Sequence, residues 1–202
     1  MTTDALVIVG GYLIGSIPFG VVLVRLFRGE DIRAQGSGNI GASNVWRIYG
    51  KSLGIPVALL DVAKGFVPAL VGLEVGGEWV GVLAGVAAMV GHARPVWLAF
   101  TRGGKMVATA GGVSFALAPL PALLCLVAWV AVFALSRYAS LASLVTALTL
   151  PVACVALGEP WPTVLFGTVS AVAVVFLHRQ NIRRLLNGTE ARFSRRRRST
   201  SA

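Results

Sequence analysis

Residues 106–136 read MVATAGGVSFALAPLPALLCLVAWVAVFALS, an apolar run of 31 residues on which the topology of the whole chain turns. As a single helix it would extend about 46 Å at roughly 1.5 Å per residue, against a bilayer core of about 30 Å. Split in two, each half is short for a crossing. Pro119 and Pro121 favour a tight break between the halves, which predicts spans at 106–119 and 121–136.

Apolar runs of similar length recur to either side, at 5–24, 55–73, 79–98, 139–157 and 160–177, for a predicted total of seven transmembrane helices. Composition agrees. Of 202 residues, 56% are hydrophobic and only 13% charged, and the mean hydropathy is +0.79, outside the usual range of soluble domains. The fold class is therefore all-α, a polytopic membrane protein.

Charge placement is an independent test, because hydropathy alone sets the spans. Every Lys and Arg except Lys64 falls at or beyond one set of span ends. Arg25, Arg28, Arg33, Arg47 and Lys51 follow the first span, Arg94, Arg102 and Lys105 flank the end of the third, and Arg137 follows the fifth. Eight arginines follow the last. The opposite ends carry Asp4, Glu74, Glu78 and Glu159. By the positive-inside rule the N-terminus is outside and the C-terminus cytoplasmic. Fusing the spans at 106–136 would put the Arg-rich end outside, so parity favours seven.

Met-Thr-Thr-Asp lacks the basic start of a signal peptide, so the first span is expected to stay in the mature protein. Cys125 and Cys154 fall inside spans, where a thiol behaves as a small apolar group rather than a disulfide or metal partner. The net charge of +10 invites a nucleic-acid reading. A basic run just cytoplasmic of the last span is more simply a topology determinant and a contact for anionic lipid. Residues 1–190 read as one transmembrane domain and 191–202 as a basic disordered cytoplasmic tail, with no nucleic-acid partner.

Chemistry is expected in three oddly composed segments, all on the cytoplasmic side. The first is Gly36-Ser37-Gly38-Asn39-Ile40-Gly41-Ala42-Ser43-Asn44, followed by Arg47. Glycines permit positive φ and close approach, so successive N–H groups can converge on an anion, with Arg47 supplying a fork suited to phosphate. Gly36, Gly38 and Gly41 match the Gly-x-Gly-x-x-Gly spacing, but no strand precedes them, which rejects a dinucleotide fold. The second is Gly91-His92-Ala93-Arg94-Pro95 with Arg102-Gly103-Gly104-Lys105, where a helix start and an ammonium coincide. The third is His178-Arg179-Gln180-Asn181-Ile182, followed by Asn187-Gly188-Thr189-Glu190; His178 and Asn181 are spaced to share a helical face. Two spans carry polar exceptions. Asp61 and Lys64 are spaced to pair within the second, and Ser16 and Pro18 break the first.

Taken together, these segments resemble the bacterial acyl-phosphate:glycerol-3-phosphate acyltransferase family of membrane enzymes. The likeness runs from about Gly15 to Phe193 and rests on Gly15–Gly20, residues 36–44 with Arg47, Asp61 with Lys64-Gly65, Gly91-His92, Gly103-Gly104-Lys105 with Val107-Ala108-Thr109, and His178-Arg179 with Asn181-Ile182. The resemblance implies transfer of a fatty acyl group from acyl phosphate to the sn-1 hydroxyl of glycerol 3-phosphate. The products are lysophosphatidic acid and phosphate, in the first acylation step of phospholipid synthesis. It implies no metal and no cofactor, a multi-pass location in the cell inner membrane, and an active site facing the cytoplasm. Membrane lipid, glycerol 3-phosphate and acyl phosphate are the expected partners.

Carried over by position, the resemblance implies Ser37, Lys105, His178 and Asn181 as catalytic. It implies Arg47, Lys105, Ser37, Gly38, Asn39 and Gly104 as binding phosphate. His178 and a substrate phosphate oxygen both stand as candidates for the base. The His-x4-Asp pattern of another acyltransferase family is absent, since Trp97 stands five residues after His92 and Arg183 five after His178. The chain departs from the family's pattern at Met106, where a glycine is expected after Lys105. The competing class is a transporter or channel for small organic anions, which would also use cationic loops and broken helices; no internal inverted repeat supports it.

Overall fold

The structure is a computed structural model that describes residues 2–193. Described residues form nine α-helices and two short 3-10 turns, with no strand among them. The helices are α1 (Thr2–Gly15), α2 (Phe19–Arg28), α3 (Ala42–Tyr49), α4 (Lys51–Ala93), α5 (Val107–Leu117), α6 (Pro119–Ser136), α7 (Ala139–Ala156), α8 (Trp161–Leu177) and α9 (Arg179–Leu186). Four segments are long and apolar enough to cross a membrane: Thr2–Arg28, Lys51–Leu98, Pro119–Ser136 and Ala139–Ala156. A fifth is the pair α8 and α9, bent by 60°, and α5 is a shorter apolar helix. Leu6, Val127, Val152 and Val172 are each more than half exposed on the outside of the bundle. An apolar exterior of this kind suits lipid rather than water.

Helix α4 is a hairpin. Gly77 has φ 73° and ψ −168°, which a residue with a side chain resists, and the chain reverses there. A Cβ on Gly72 would lie 2.7 Å from Val80 O, and one on Gly81 would lie 3.0 Å from Ala69 O. In a straight helix, residues 12 apart would be about 18 Å apart, so the arms 51–76 and 78–93 lie side by side. The spans expected at 55–73 and 79–98 thus meet at one residue rather than across a loop. α1 packs against the second arm at Ala84 and Ala88, and α5 against both arms. Backbones of α4 and α5 touch through paired glycines: a Cβ on Gly65 would sit 2.1 Å from Thr109 O, and one on Gly112 would sit 2.0 Å from Val62 O.

The break expected from Pro119 and Pro121 falls one residue earlier, at Ala118 (φ −145°, ψ 75°), and both prolines lie inside the first turn of α6. Proline has no N–H to lose there and its fixed φ suits a helix start. The first span breaks at Ser16–Pro18 as expected. Lys64 Nζ donates to Ile17 O across 2.9 Å and pairs with Asp61 Oδ1 at 2.7 Å, both side chains being buried. The ammonium satisfies a carbonyl freed by the break and is itself neutralised, which answers the cost of burying either charge alone.

At the end of the bundle that carries the basic residues, Val21, Val24, Ile32, Ile40, Val45, Leu53 and Val57 form a compact cluster. It locks α2, the loop at 36–41, α3 and the start of α4 together. Burying several such side chains at roughly 25 cal/mol per Å² fixes a loop that glycines alone would leave mobile. Past α9 the chain stays on the body as far as Phe193, whose N–H donates to Arg137 O at 3.0 Å. Of the tail expected at 191–202, positions 194–202 lie outside the described residues.

Candidate active site

A cavity of about 680 Å³ opens among the three basic segments and continues between α5, α6, α7 and α8. Ser37, Asn39, Arg47, Lys105, His178 and Asn181 line its polar end, and Phe115, Leu126, Trp129, Ala147, Leu150 and Val174 its apolar arm. Gly38 and Gly104 of the expected set do not line it.

Asn44 holds the first loop. Its Oδ1 accepts from Ser37 N at 3.1 Å, and its Nδ2 donates to Gln35 O (3.1 Å) and Asn39 O (2.9 Å). Asn39 Oδ1 accepts from Gly41 N at 2.9 Å, and Gly38 N donates to Gln35 O at 3.0 Å. The amides of Ser37, Gly38 and Gly41 are therefore engaged inside the loop. Those three amides of the expected nest are thus occupied within the loop, in which Gly38 supplies a φ of 69°. Among the described residues, Ser37 Oγ meets no protein hydrogen-bond partner. Among the described residues, the guanidinium of Arg47, in the last turn of α3, meets no hydrogen-bond or ion-pair partner, and its Nε is buried. Burial lowers its pKa, with the Glu190 carboxylate opposing and Arg184 adding to the shift. A half-buried cation facing a cavity with no protein anion on it suits an incoming phosphate.

The second loop is tied to the end of α4. Gly103 N donates to Ala93 O and Gly104 N to His92 O, both at 3.0 Å, and Asn39 Nδ2 reaches Gly103 O at 3.4 Å. A Cβ on Gly104 would sit 1.9 Å from His92 Nε2, so only glycine lets the loop lie against the imidazole. Gly104's amide is thus unavailable to phosphate. What the loop delivers is Lys105, whose ammonium donates to Asn181 Oδ1. Burial and the charges of Arg184, Arg102 and Arg47 bring its pKa down to about 8, opposed by Glu190.

His178 stands at the bend between α8 and α9, so the helical face expected to carry it with Asn181 is interrupted, yet both side chains line the cavity. Its Nδ1 is 2.8 Å from Val174 O and must carry the proton there, which leaves Nε2 as an acceptor. Burial, with the Lys105 charge second, lowers its pKa to about 4, so the ring is neutral near pH 7. Asn181 Nδ2 donates to Glu190 Oε1 at 2.6 Å, which also accepts from Ser140 Oγ at 2.7 Å; Arg184 Nε meets Glu190 Oε2 at 2.6 Å. Burial alone would raise the Glu190 pKa, but these three donors hold it below the ordinary value. Lys105, Asn181 and Glu190 therefore form one hydrogen-bonded line.

Ser140 and Arg184 are additions that the sequence did not single out, while His92, named there only as part of a segment, is buried against Gly104. Glu190 carried a faint signal as the one acidic residue after Glu159 in an otherwise cationic end. Ser140 carried none, because its partner lies 50 residues away.

Met106 has φ 67° and ψ −11°, a left-handed backbone that glycine adopts without strain. The left-handed region costs a side-chain-bearing residue about 1–2 kcal/mol. The Met106 side chain recovers part of this by packing on the cluster around Met89 and Val113. Met106→Gly should raise stability by about 1 kcal/mol in thermal or denaturant unfolding, with kcat equal to or above wild type. A lower unfolding midpoint in the variant would show that the packing outweighs the strain.

The chain matches the family Glycerol-3-phosphate acyltransferase over residues 5–188. A protein of that name from Desulforudis audaxviator (strain MP104C) is 45% identical over 96% of this chain and 98% of its own. One from Sinorhizobium medicae (strain WSM419) is 48% identical over 92% and 90%. Two solved structures are of PlsY (YgiH), an integral membrane glycerol 3-phosphate acyltransferase. Its glycerol 3-phosphate form aligns with a TM-score of 0.91 at 41% identity, covering 95% of this chain and 96% of that one. Its lysophosphatidic acid form gives 0.88 at 39%, with the same coverage.

Proposed function

The chain belongs to the glycerol-3-phosphate acyltransferase family of multi-pass membrane enzymes, and from that premise we propose how its cavity performs the reaction. It transfers a fatty acyl group to the sn-1 hydroxyl of glycerol 3-phosphate and yields lysophosphatidic acid. The donor is acyl phosphate, so the pocket must take phosphate from both substrates and an alkyl chain from one. The observation that supports this most directly is the juxtaposition of the unpartnered Arg47 and the Lys105–Asn181–Glu190 line with an apolar arm of the same cavity.

Arg47 and Lys105 neutralise phosphate, and the Ser37 hydroxyl donates to a phosphate oxygen. His178 and Asn181 orient glycerol 3-phosphate. The alkyl chain lies between α5 and α8. The glycerol hydroxyl attacks the acyl carbonyl, the C–O bond to phosphate breaks, and inorganic phosphate leaves. The hydroxyl proton passes to a phosphate oxygen. With a pKa of about 4, neutral His178 is a weaker base than a phosphate dianion, whose second pKa is about 6, so Nε2 aligns the hydroxyl by accepting its hydrogen bond. Rate comes from proximity and from cations placed where charge is transferred.

Seven crossings are proposed: α1 with α2, the two arms of α4, then α5, α6, α7 and α8, with the site facing the cytoplasm. A membrane-impermeant thiol reagent should label Val75→Cys from outside and Asn187→Cys only from inside. Purified protein should make lysophosphatidic acid from glycerol 3-phosphate and acyl phosphate in the presence of chelator. Product formed only with acyl-CoA, or a metal requirement that survives controls, would overturn the donor and mechanism.

A further inference from the structure

Phe193 lies three residues past Glu190, in what the sequence reads as the start of a basic disordered tail. The structure places it in an aromatic cluster. Its ring is 5.7 Å from that of Trp46 and 5.2 Å from that of Phe133, edge-on to both. The Arg47 guanidinium carbon lies 4.9 Å from the centre of the Phe193 ring. That ring is the contact Arg47 has in place of a hydrogen bond or ion pair among the described residues. Trp46 and Arg47 are neighbours on α3, so one phenyl ring anchors the helix through the first and covers the cation through the second. The Phe193 N–H bond to Arg137 O fixes the ring from the far side, at the end of α6.

We infer that Phe193 is a positioning residue for the transfer reaction: its ring holds the Arg47 guanidinium in the plane that meets a substrate phosphate. A cation resting on a ring face keeps its N–H donors directed outward around the edge, free for a bidentate anion. A carboxylate in the same place would orient the guanidinium but compete with the phosphate. An aromatic face orients it without occupying its donors. Lys in place of Arg47 would lose both the plane and the fork.

This inference rests on Arg47 taking a substrate phosphate, and the experiment separates the two. KM for each substrate and kcat are measured for Phe193→Ala, Phe193→Leu, Phe193→Tyr, Arg47→Ala and Arg47→Lys, with thermal unfolding of each in detergent. Phe193→Ala should raise one KM by roughly 2- to 30-fold, the range of a cation–π contact from exposed to desolvated. The same KM should rise in Arg47→Lys. Phe193→Tyr should restore it, and Phe193→Leu, which keeps apolar bulk without a π face, should not. In the Arg47→Lys background, Phe193→Ala should add less than about twofold, because both changes remove one interaction. Wild-type kinetics in Phe193→Leu, or a rise in a different KM from that moved by Arg47→Lys, would overturn the inference. If Arg47→Ala impairs turnover while Phe193→Ala is silent, the phosphate assignment stands and the positioning role falls. If Arg47→Ala is itself silent, the assignment falls with it.

Discussion

Lys105→Ala is expected to lower kcat/KM by about a hundredfold or more while the protein remains folded and inserted. A charge-assisted hydrogen bond is worth about 1.5–3 kcal/mol, or roughly 10- to 150-fold, and a donor preorganised in a water-poor site reaches the upper part of that range. The loss has a second source. Asn181 Oδ1, which accepts from Lys105, is left buried without a donor, and the line to Glu190 loses its cationic end. The pH profile gives an independent check. With its pKa at about 8, Lys105 is charged below that value, and the contribution of the ammonium fades as pH rises through it. The alkaline limb of kcat/KM, which reports free enzyme, should therefore lie near pH 8. The limb of kcat should lie higher, because a bound phosphate favours the charged form. Lys105→Arg should retain part of the activity and move both limbs up, since a guanidinium stays protonated. An alkaline limb unchanged in Lys105→Arg would assign it to another group.

Glu190→Gln is expected to cost about 2–4 kcal/mol of stability and more than tenfold in turnover. Three donors converge on this carboxylate, from Ser140, Asn181 and Arg184. A carboxamide has one acceptor oxygen and places an NH2 against at least one of those donors. Each hydrogen bond to a charged group is worth about 1.5–3 kcal/mol, discounted at Arg184 because its side chain is 40% exposed. Turnover falls because Asn181, no longer held by Glu190, stops presenting its oxygen to Lys105. The carboxyl pKa is depressed in the folded protein. Its stabilisation is therefore complete above the ordinary carboxyl value and is lost as pH falls through the lower, folded value. Glu190→Gln should flatten that acid limb in unfolding experiments, and an acid limb as steep as wild type would show that other carboxylates set it.

Much of the architecture was legible because partition into lipid is a local property. The apolar runs, the break at Ser16–Pro18 and the Asp61–Lys64 pair each follow from residues within a turn or two of one another. The hairpin at Gly77 was less so: one glycine at positive φ replaces a loop, and nothing in Glu74-Val75-Gly76-Gly77-Glu78 distinguishes the glycine that turns. Pro119 and Pro121 mark the break between α5 and α6 to within one residue, since a proline that starts a helix stands where the preceding one has ended.

The site divides in the same way. From sequence alone came the three cationic segments and, through the family resemblance, Ser37, Arg47, Lys105, His178 and Asn181, all of which the fold gathers around one cavity. What sequence could not supply was which polar groups remain free once the chain has folded. Glycine and asparagine announce available N–H groups, but Asn44 consumes Ser37's amide and His92 O consumes Gly104's. Met106 announces a good helix former, yet it stands at φ 67° because the loop docked on α4 must enter α5 from that angle. Lys105 meets Asn181 across 76 residues, and Glu190 meets Ser140 across 50. Hydropathy determined which segments are apolar enough for a membrane, because each residue's solvation contributes independently of the fold. Tertiary structure alone decided which donors and acceptors satisfy one another, because a hydrogen bond depends on ångström distances between residues remote in the chain.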